Sequence, residues 1–310
     1  VIYLNPVFKY TKSPFKTNTA QIDVVKTNIK RFFVLIIILI ILLIFTRRMA
    51  RWYKITWHKL FPSDYYKILY LLMALSTVIR AFFAYKIELG NDEVYYLTYA
   101  MYPDFSHFDH PPMVGWFIQL FSLNLYFNGE LFVRLSSIIL TTINTYVIFL
   151  IGRHIKNELA GLFAAVLYNA TIYGFIINGV FILPDTPQVF FWLLALYYMV
   201  KVLPSYEISI KQKYQLLLIG ILIGLSALSK HSSVFLWIGA GLYILFYNRK
   251  WFKIKELYIS AVLSVLILLP VWYWNYQNDF ISFTFQGNRV GVSLSNLHWD
   301  YFLPELFGQI

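Results

Sequence analysis

The feature that most limits what this chain can fold into is a series of apolar runs almost free of charge. Seven of them, at 68–85, 131–151, 159–177, 186–203, 214–228, 232–247 and 257–274, are each 15 to 21 residues long. A bilayer core about 30 Å thick is crossed by about 20 apolar helical residues, so each run reads as a spanning helix. Charged residues make up only 13% of the chain against 59% hydrophobic and 20% aromatic. A soluble fold of this length needs far more charge to cover its surface. The expected fold class is therefore an all-α polytopic membrane protein. An eighth run, 32–45, is apolar but only 14 residues long. At 1.5 Å per residue it reaches about 21 Å, and it is left open as a tilted anchor, an interfacial helix or a terminal segment within an extension, 1–67.

The net charge of +11 invites a nucleic-acid reading, but the placement of the charges rejects it. Linkers 47–67, 152–158, 201–213 and 249–255 together hold fifteen Lys and Arg, whereas 86–130, 178–185, 229–231 and 275–310 hold three. Such a bias fixes orientation, with the basic set cytoplasmic. Ten of the fifteen acids fall on the opposite side. Acids contribute little to topology, so their clustering marks the outer, extracytoplasmic surface as the working one. No cysteine is present, which removes disulfides and thiolate metal sites. The sequence opens on Val1 and stops at Ile310 near a further apolar stretch, so a fragment is expected, and no cleavable signal peptide is evident.

The first outer loop, 86–130, is long, and 92–101 and 112–127 read as amphipathic helices lying on the membrane. Asp92 and Glu93 open the first of these, as helix caps or as carboxylates able to take a proton from a substrate. Asp109 and His110 precede two prolines, which fix an acid and an imidazole on a rigid turn. Asp185 sits in a mostly apolar linker near headgroup depth, where an ionisable group is a functional candidate. Lys230 lies in a very short connection between two short spans, held near lipid phosphates or snorkelling to them. Arg80 and Arg134 within spans and Arg289 in the last outer loop, 275–310, add cations for substrate binding or for structural pairing. Tyr95, Tyr96, Trp116 and Trp274 suit sugar stacking or an interfacial aromatic belt. Acids and cations from four linkers thus meet at one depth, which suits a lipid-linked phosphate substrate. A divalent metal is left open, because the His and carboxylate spacing matches no strong zinc pattern.

In order, DEVYY (92–96), FDHPPMVGW (108–116), GELFVRL (129–135), LPDTP (183–187), GLSALSKH (224–231), WNYQNDFISFTFQ (274–286) and PELFGQ (304–309) resemble a known family. The chain looks like the bacterial GT-C class membrane glycosyltransferases related to protein O-mannosyltransferases and aminoarabinose transferases. The resemblance covers 68–310, which would be the N-terminal transmembrane module of such enzymes. It implies a polyprenyl-phosphate-sugar donor, an extracytoplasmic active site in a bacterial inner membrane, and inversion at the anomeric carbon. It assigns Asp92, beside Glu93, to the catalytic acid position, Asp185 to a second acidic position, and Lys230 to the donor phosphate. Asp109 and His110 stand where aminoarabinose transferases carry Glu-Lys, and Tyr95 and Tyr96 stand where those enzymes have an Arg. Both departures point away from aminoarabinose. The acceptor would be lipid A, a glycolipid, a polymer or a protein of the envelope. No nucleic acid and no separate cofactor are expected. The rival class is a transporter or flippase for a lipid-linked sugar, which predicts inverted repeats and helices broken at the bilayer midplane.

Overall fold

The computed structural model describes residues 63–290, with the side chains of residues 289 and 290 excepted. The expected segment 32–45 and the PELFGQ motif lie outside the described residues. Within them the chain is all α. Helix α1 (Asp64–Lys86) is followed by two loop helices, α2 (Asn91–Met101) and α3 (Met113–Phe121). A single turn, α4 (Glu130–Val133), leads into α5 (Leu135–Ile155) and α6 (Glu158–Ala170). Then come α7 (Asp185–Val202), α8 (Ile210–Ala227), α9 (Phe235–Tyr247), α10 (Lys255–Ile267), α11 (Leu269–Gln277) and α12 (Ile281–Val290).

Two helices carry apolar side chains on their exposed faces and polar ones among their buried residues. Helix α1 turns Leu71, Leu75, Val78 and Phe82 outward and buries Ser76 and Arg80. Helix α5 buries Ser136, Ser137, Thr141, Asn144 and Thr145. Lipid is as apolar as leucine, so helices in a membrane associate through close packing of small residues and interhelical hydrogen bonds. The α8–α10 seam shows both. A Cβ on Gly220 would stand 2.2 Å from the Ser260 carbonyl oxygen, so only glycine permits that crossing. Ser260 Oγ and Ser264 Oγ donate to the Leu216 and Gly220 carbonyls at 2.8 and 2.6 Å.

The seven expected spans do not all emerge as single long helices. By length and apolar composition, two described helices suffice to cross a membrane, α1 and α5, and a third does if α10 and α11 are counted together. Those two bend by 41° where one span, 257–274, was expected. Pro270, near the start of α11, cannot donate to the helical ladder, and its ring crowds the preceding turn. The expected span 159–177 also divides: α6 stops at Ala170, and a π turn, Tyr173–Ile177, follows. Thr171 Oγ1 accepts from Gly174 N at 3.0 Å, a local cap that competes with helix continuation. The expected 232–247 begins with a 3-10 turn, His231–Val234, before α9. In the first loop the helix expected over 112–127 ends at Phe121, and Leu123, Asn124 and Leu125 take positive φ.

Side-chain bonds from α5 fix the irregular 178–182 segment against the loop helices. Thr141 Oγ1 donates to the Asn178 carbonyl at 2.7 Å and Ser137 Oγ to the Phe181 carbonyl at 2.9 Å. The α2–α3 crossing is equally tight, since a Cβ on Gly115 would stand 2.7 Å from Tyr99 Cβ. Met113 N donates to the Leu228 carbonyl at 3.2 Å, which ties α3 to the end of α8. Three elements distant in sequence thus meet at one end of the bundle.

Candidate active site

Asp92 and Glu93 are neighbours at the start of α2, and about 100° of helical rotation separates their side chains. Glu93 turns inward and is 2% exposed. Its Oε1 accepts from Arg134 Nε at 2.7 Å and from Ile182 N at 3.0 Å. Its Oε2 accepts from Arg134 Nη2 at 2.5 Å and from Gly90 N at 3.0 Å. Arg134 is fully buried and also donates to the Ala84, Ile87 and Glu88 carbonyls at 3.0, 2.6 and 2.9 Å. Every donor of the guanidinium and both carboxylate oxygens are therefore occupied by protein. Glu93, expected as catalytic, and Arg134, expected to bind substrate, thus pin the end of α1 to α2 and α5. Arg80, also expected to bind substrate, is likewise fully buried, donating to Asn169 Oδ1 at 2.6 Å with its guanidinium 4.7 Å from the Phe175 ring centre. It too links elements of the bundle. Arg289 falls in α12, but its side chain lies outside the described residues.

Asp92 faces the other way. It is exposed, and among the described residues its carboxylate makes no hydrogen bond or ion pair. Beside it, Tyr96 is buried, and its phenol is pushed well above the ordinary tyrosine range. Burial is the main cause, followed by the negative charges of Asp109, Asp92 and, more weakly, Asp185. One hydroxyl thus feels three carboxylates from three separate segments.

Asp109 is the most heavily bonded of the three. Tyr95 Oη donates to its Oδ1 at 2.9 Å, Tyr99 Oη donates to the same oxygen, and His110 Nδ1 stands 3.1 Å from Oδ2. Burial pushes this carboxyl up, but the bonds from His110, Tyr99 and Tyr95 outweigh that and hold it below the usual range. Tyr95 is pushed up to about 12, chiefly by burial. The His107 ring stacks on Tyr99 with centroids 3.6 Å apart, and burial lowers its pKa to about 4. Gln286 Nε2 donates to the Asp109 carbonyl at 2.5 Å, and Trp274 Nε1 to Asp104 Oδ2 at 2.8 Å. These two bonds fasten α11 and α12 to the first loop.

The third carboxylate, Asp185, is in the first turn of α7, where the helix dipole favours negative charge. Lys230 Nζ lies 3.2 Å from each of its oxygens, and Tyr173 Oη donates to Oδ1 at 2.8 Å. The Lys230 side chain keeps 38% of its surface exposed. Gln188, one turn further along α7, donates to Ser232 and Ser233 at 2.8 and 3.1 Å, which fixes the 229–233 turn beneath the pair. His231 is lowered from its ordinary pKa by burial and by the nearby His110. The site thus unites Asp92, Tyr96, Asp109, His110, Asp185 and Lys230. Tyr99, His107 and Tyr173 also belong to it and are not singled out by the sequence reading. The i, i+4 spacing of Tyr95 and Tyr99 is the signal that could have found the first. Among the described residues, no group of three or more His, Asp and Glu is placed to hold a metal ion.

Comparison with known proteins now bears on this geometry. Residues 109–274 match the family model described as dolichyl-phosphate-mannose-protein mannosyltransferase, more than half of the chain. The chain belongs to that family. This family places it among the GT-C class membrane glycosyltransferases, and the matched residues run from Asp109 through Asp185 and Lys230. A lipid A galacturonosyltransferase, RgtD, from Rhizobium johnstonii is 23% identical over 190 residues, covering 61% of this chain and 38% of the relative. The apo crystal structure of ArnT from Cupriavidus metallidurans shares the fold with a TM-score of 0.58 at 18% identity, over 79% of this chain and 48% of the other. The chain thus spans less than half the length of either relative.

Proposed function

We propose that this chain carries the catalytic module of an inverting glycosyltransferase acting on a polyprenyl-phosphate sugar at the extracytoplasmic face of a bacterial inner membrane. Asp92 takes the proton from the acceptor nucleophile as it attacks the anomeric carbon. The bond between that carbon and the phosphate oxygen breaks with its electron pair going to the phosphate. Lys230 stabilises the growing charge on the leaving polyprenyl phosphate, and Asp185 with Tyr173 holds the ammonium in place. His110, set by Asp109, is a further donor toward the phosphate. In this arrangement the seven apolar segments cross the bilayer, and the bent and divided ones do so in pieces.

The observation that carries the reading is the contrast between two acids whose charges both act on the buried Tyr96 phenol: Asp92, exposed and unpartnered among the described residues, and Asp185, which grips a half-open lysine. Such a combination offers a free base and a phosphate-binding cation, which a purely structural cluster does not need. One relative's name makes lipid A the first acceptor to try. The test is transfer of radiolabelled sugar from polyprenyl phosphate by purified wild-type protein and Asp92→Asn. Loss of a general base costs about 10²–10⁴-fold, with thermal unfolding unchanged because Asp92 holds nothing in place. A wild-type rate in Asp92→Asn would remove the proposed base. Movement of the lipid-linked sugar across liposomes without glycosidic bond formation would favour the transporter class.

A further inference from the structure

A second cavity runs along α7 from Trp192 toward the end away from Asp185. Helix α7 runs from Asp185 to Val202, so Lys201 stands sixteen residues beyond Asp185, about 24 Å along the axis at 1.5 Å per residue. There a groove of about 820 Å³ opens between α7 and α9, near the top of the roughly 300–1,000 Å³ range of small-molecule sites. Its walls include Trp192, Leu196 and Met199 from α7 and Leu236, Gly239 and Tyr243 from α9. Its mouth carries His154, from the last turn of α5, and Lys201. Among the described residues, no acid lines it.

The groove offers room and a charge. At Gly239, which lines it, a Cβ would meet nothing within 4 Å among the described residues. Lys201 is exposed, bonds to Tyr197 Oη at 3.1 Å on its own helix and, among the described residues, forms no ion pair. An apolar slot with a cationic rim at a bundle end complements a lipid with an anionic head.

We infer that the α7–α9 groove holds one anionic glycerophospholipid, its acyl chains along Leu196, Leu236 and Gly239 and its phosphate at Lys201 and His154. The proposed orientation places this end in the cytoplasmic leaflet. The lipid would pack against α7 and α9 and would be distinct from the donor, whose phosphate is assigned to the opposite end of α7. The inference does not depend on the glycosyltransfer reading.

The test is native mass spectrometry of the full chain released from mixed vesicles of phosphatidylglycerol, phosphatidylethanolamine and polyprenyl phosphate. The wild type is expected to retain one phosphatidylglycerol. Lys201→Gln is expected to lower that retention about fivefold, the effect of about 1 kcal/mol per cation. Gly239→Leu, which fills the slot, is expected to abolish it, while the adjacent Gly241→Leu, which also has open space but does not line the groove, leaves it intact. Lys201→Gln sits on an exposed helix end and keeps the test informative if Gly239→Leu fails to fold. Retention of phosphatidylethanolamine and phosphatidylglycerol in equal amounts, retention unmoved by both variants, polyprenyl phosphate as the species lost in Gly239→Leu, or a protein dimer in place of bound lipid would each overturn the inference.

Discussion

Two ion pairs near the candidate site each join an acid to a permanent cation and differ in almost everything else. Glu93–Arg134 is sealed, with side chains 3% and 0% exposed, and every polar atom has a protein partner. Asp185–Lys230 is half open, with side chains 18% and 38% exposed and both contacts at 3.2 Å. Charge-assisted bonds at their strongest are about 2.7–2.9 Å, so the second pair is looser by geometry as well as by exposure. The difference teaches how to separate a carboxylate that builds a site from one that works in it. A saturated buried pair has nothing left to offer a substrate. An open one can trade its partner for a phosphate without leaving a charge stranded.

Substitution should split the two pairs cleanly. Arg134→Met leaves the Glu93 carboxylate buried without its counter-charge, held only by Gly90 N and Ile182 N, and takes a donor from three carbonyls; breaking a buried pair in this way costs about 3–5 kcal/mol. The expected outcome is loss of folded protein, read by size-exclusion profile and thermal unfolding in detergent, with activity lost only as a consequence. A stable, well-behaved Arg134→Met protein would mean that the clamp is not what holds α1, α2 and α5 together. Lys230→Met makes the opposite prediction. An exposed pair contributes about 0–1 kcal/mol to stability, so unfolding should barely move, while the transfer rate falls about 10–10²-fold through lost phosphate stabilisation. If Lys230→Met unfolds the protein and leaves turnover per folded molecule unchanged, the two pairs belong to one class after all.

The meeting of Asp185 with Lys230 was legible in the sequence, whereas its contrast with Glu93–Arg134 was hidden for a physical reason. Asp185 and Lys230 are 45 residues apart, yet both sit in linkers that the charge bias puts on one side, and they touch. What the sequence does not reveal is which of two adjacent acids faces the bundle. Asp92 and Glu93 are chemically alike and one helical step apart, and only the rotation of α2, set by Gly115 against Tyr99 and by Ile182 N on Glu93, decides between them. The same holds for Arg134 and Arg80. An arginine in an apolar run reads identically whether it meets a substrate or five internal acceptors. Helix breaks were missed where a local cap at Thr171 or a ring at Pro270 outweighed the apolar pattern.

The smallest effect at neutral pH comes from His107, which stacks on the Tyr99 ring that bonds Asp109. Its folded pKa is lowered to about 4 from an ordinary value near 6.5, because burial disfavours the charged ring. Among the described residues its buried Nε2 has no hydrogen-bond partner, so a proton there has no acceptor. Between those two values the unfolded chain binds the proton and the folded one does not. Stability from this group is therefore complete above about pH 6.5 and declines as the pH falls toward 4, with no further loss below. Asp109 acts in a lower window: its depressed pKa gives stability that is present above about 3.8 and lost as the pH drops beneath it. His107→Phe keeps the stack on Tyr99 and removes the titrating nitrogen. Its unfolding temperature at pH 7 should match the wild type within a small margin, while the decline between pH 6.5 and 4 flattens and the steeper loss below pH 4 persists. Parallel curves for the two proteins across that upper window would place the acid sensitivity elsewhere and remove His107 from the packed wall behind Asp109.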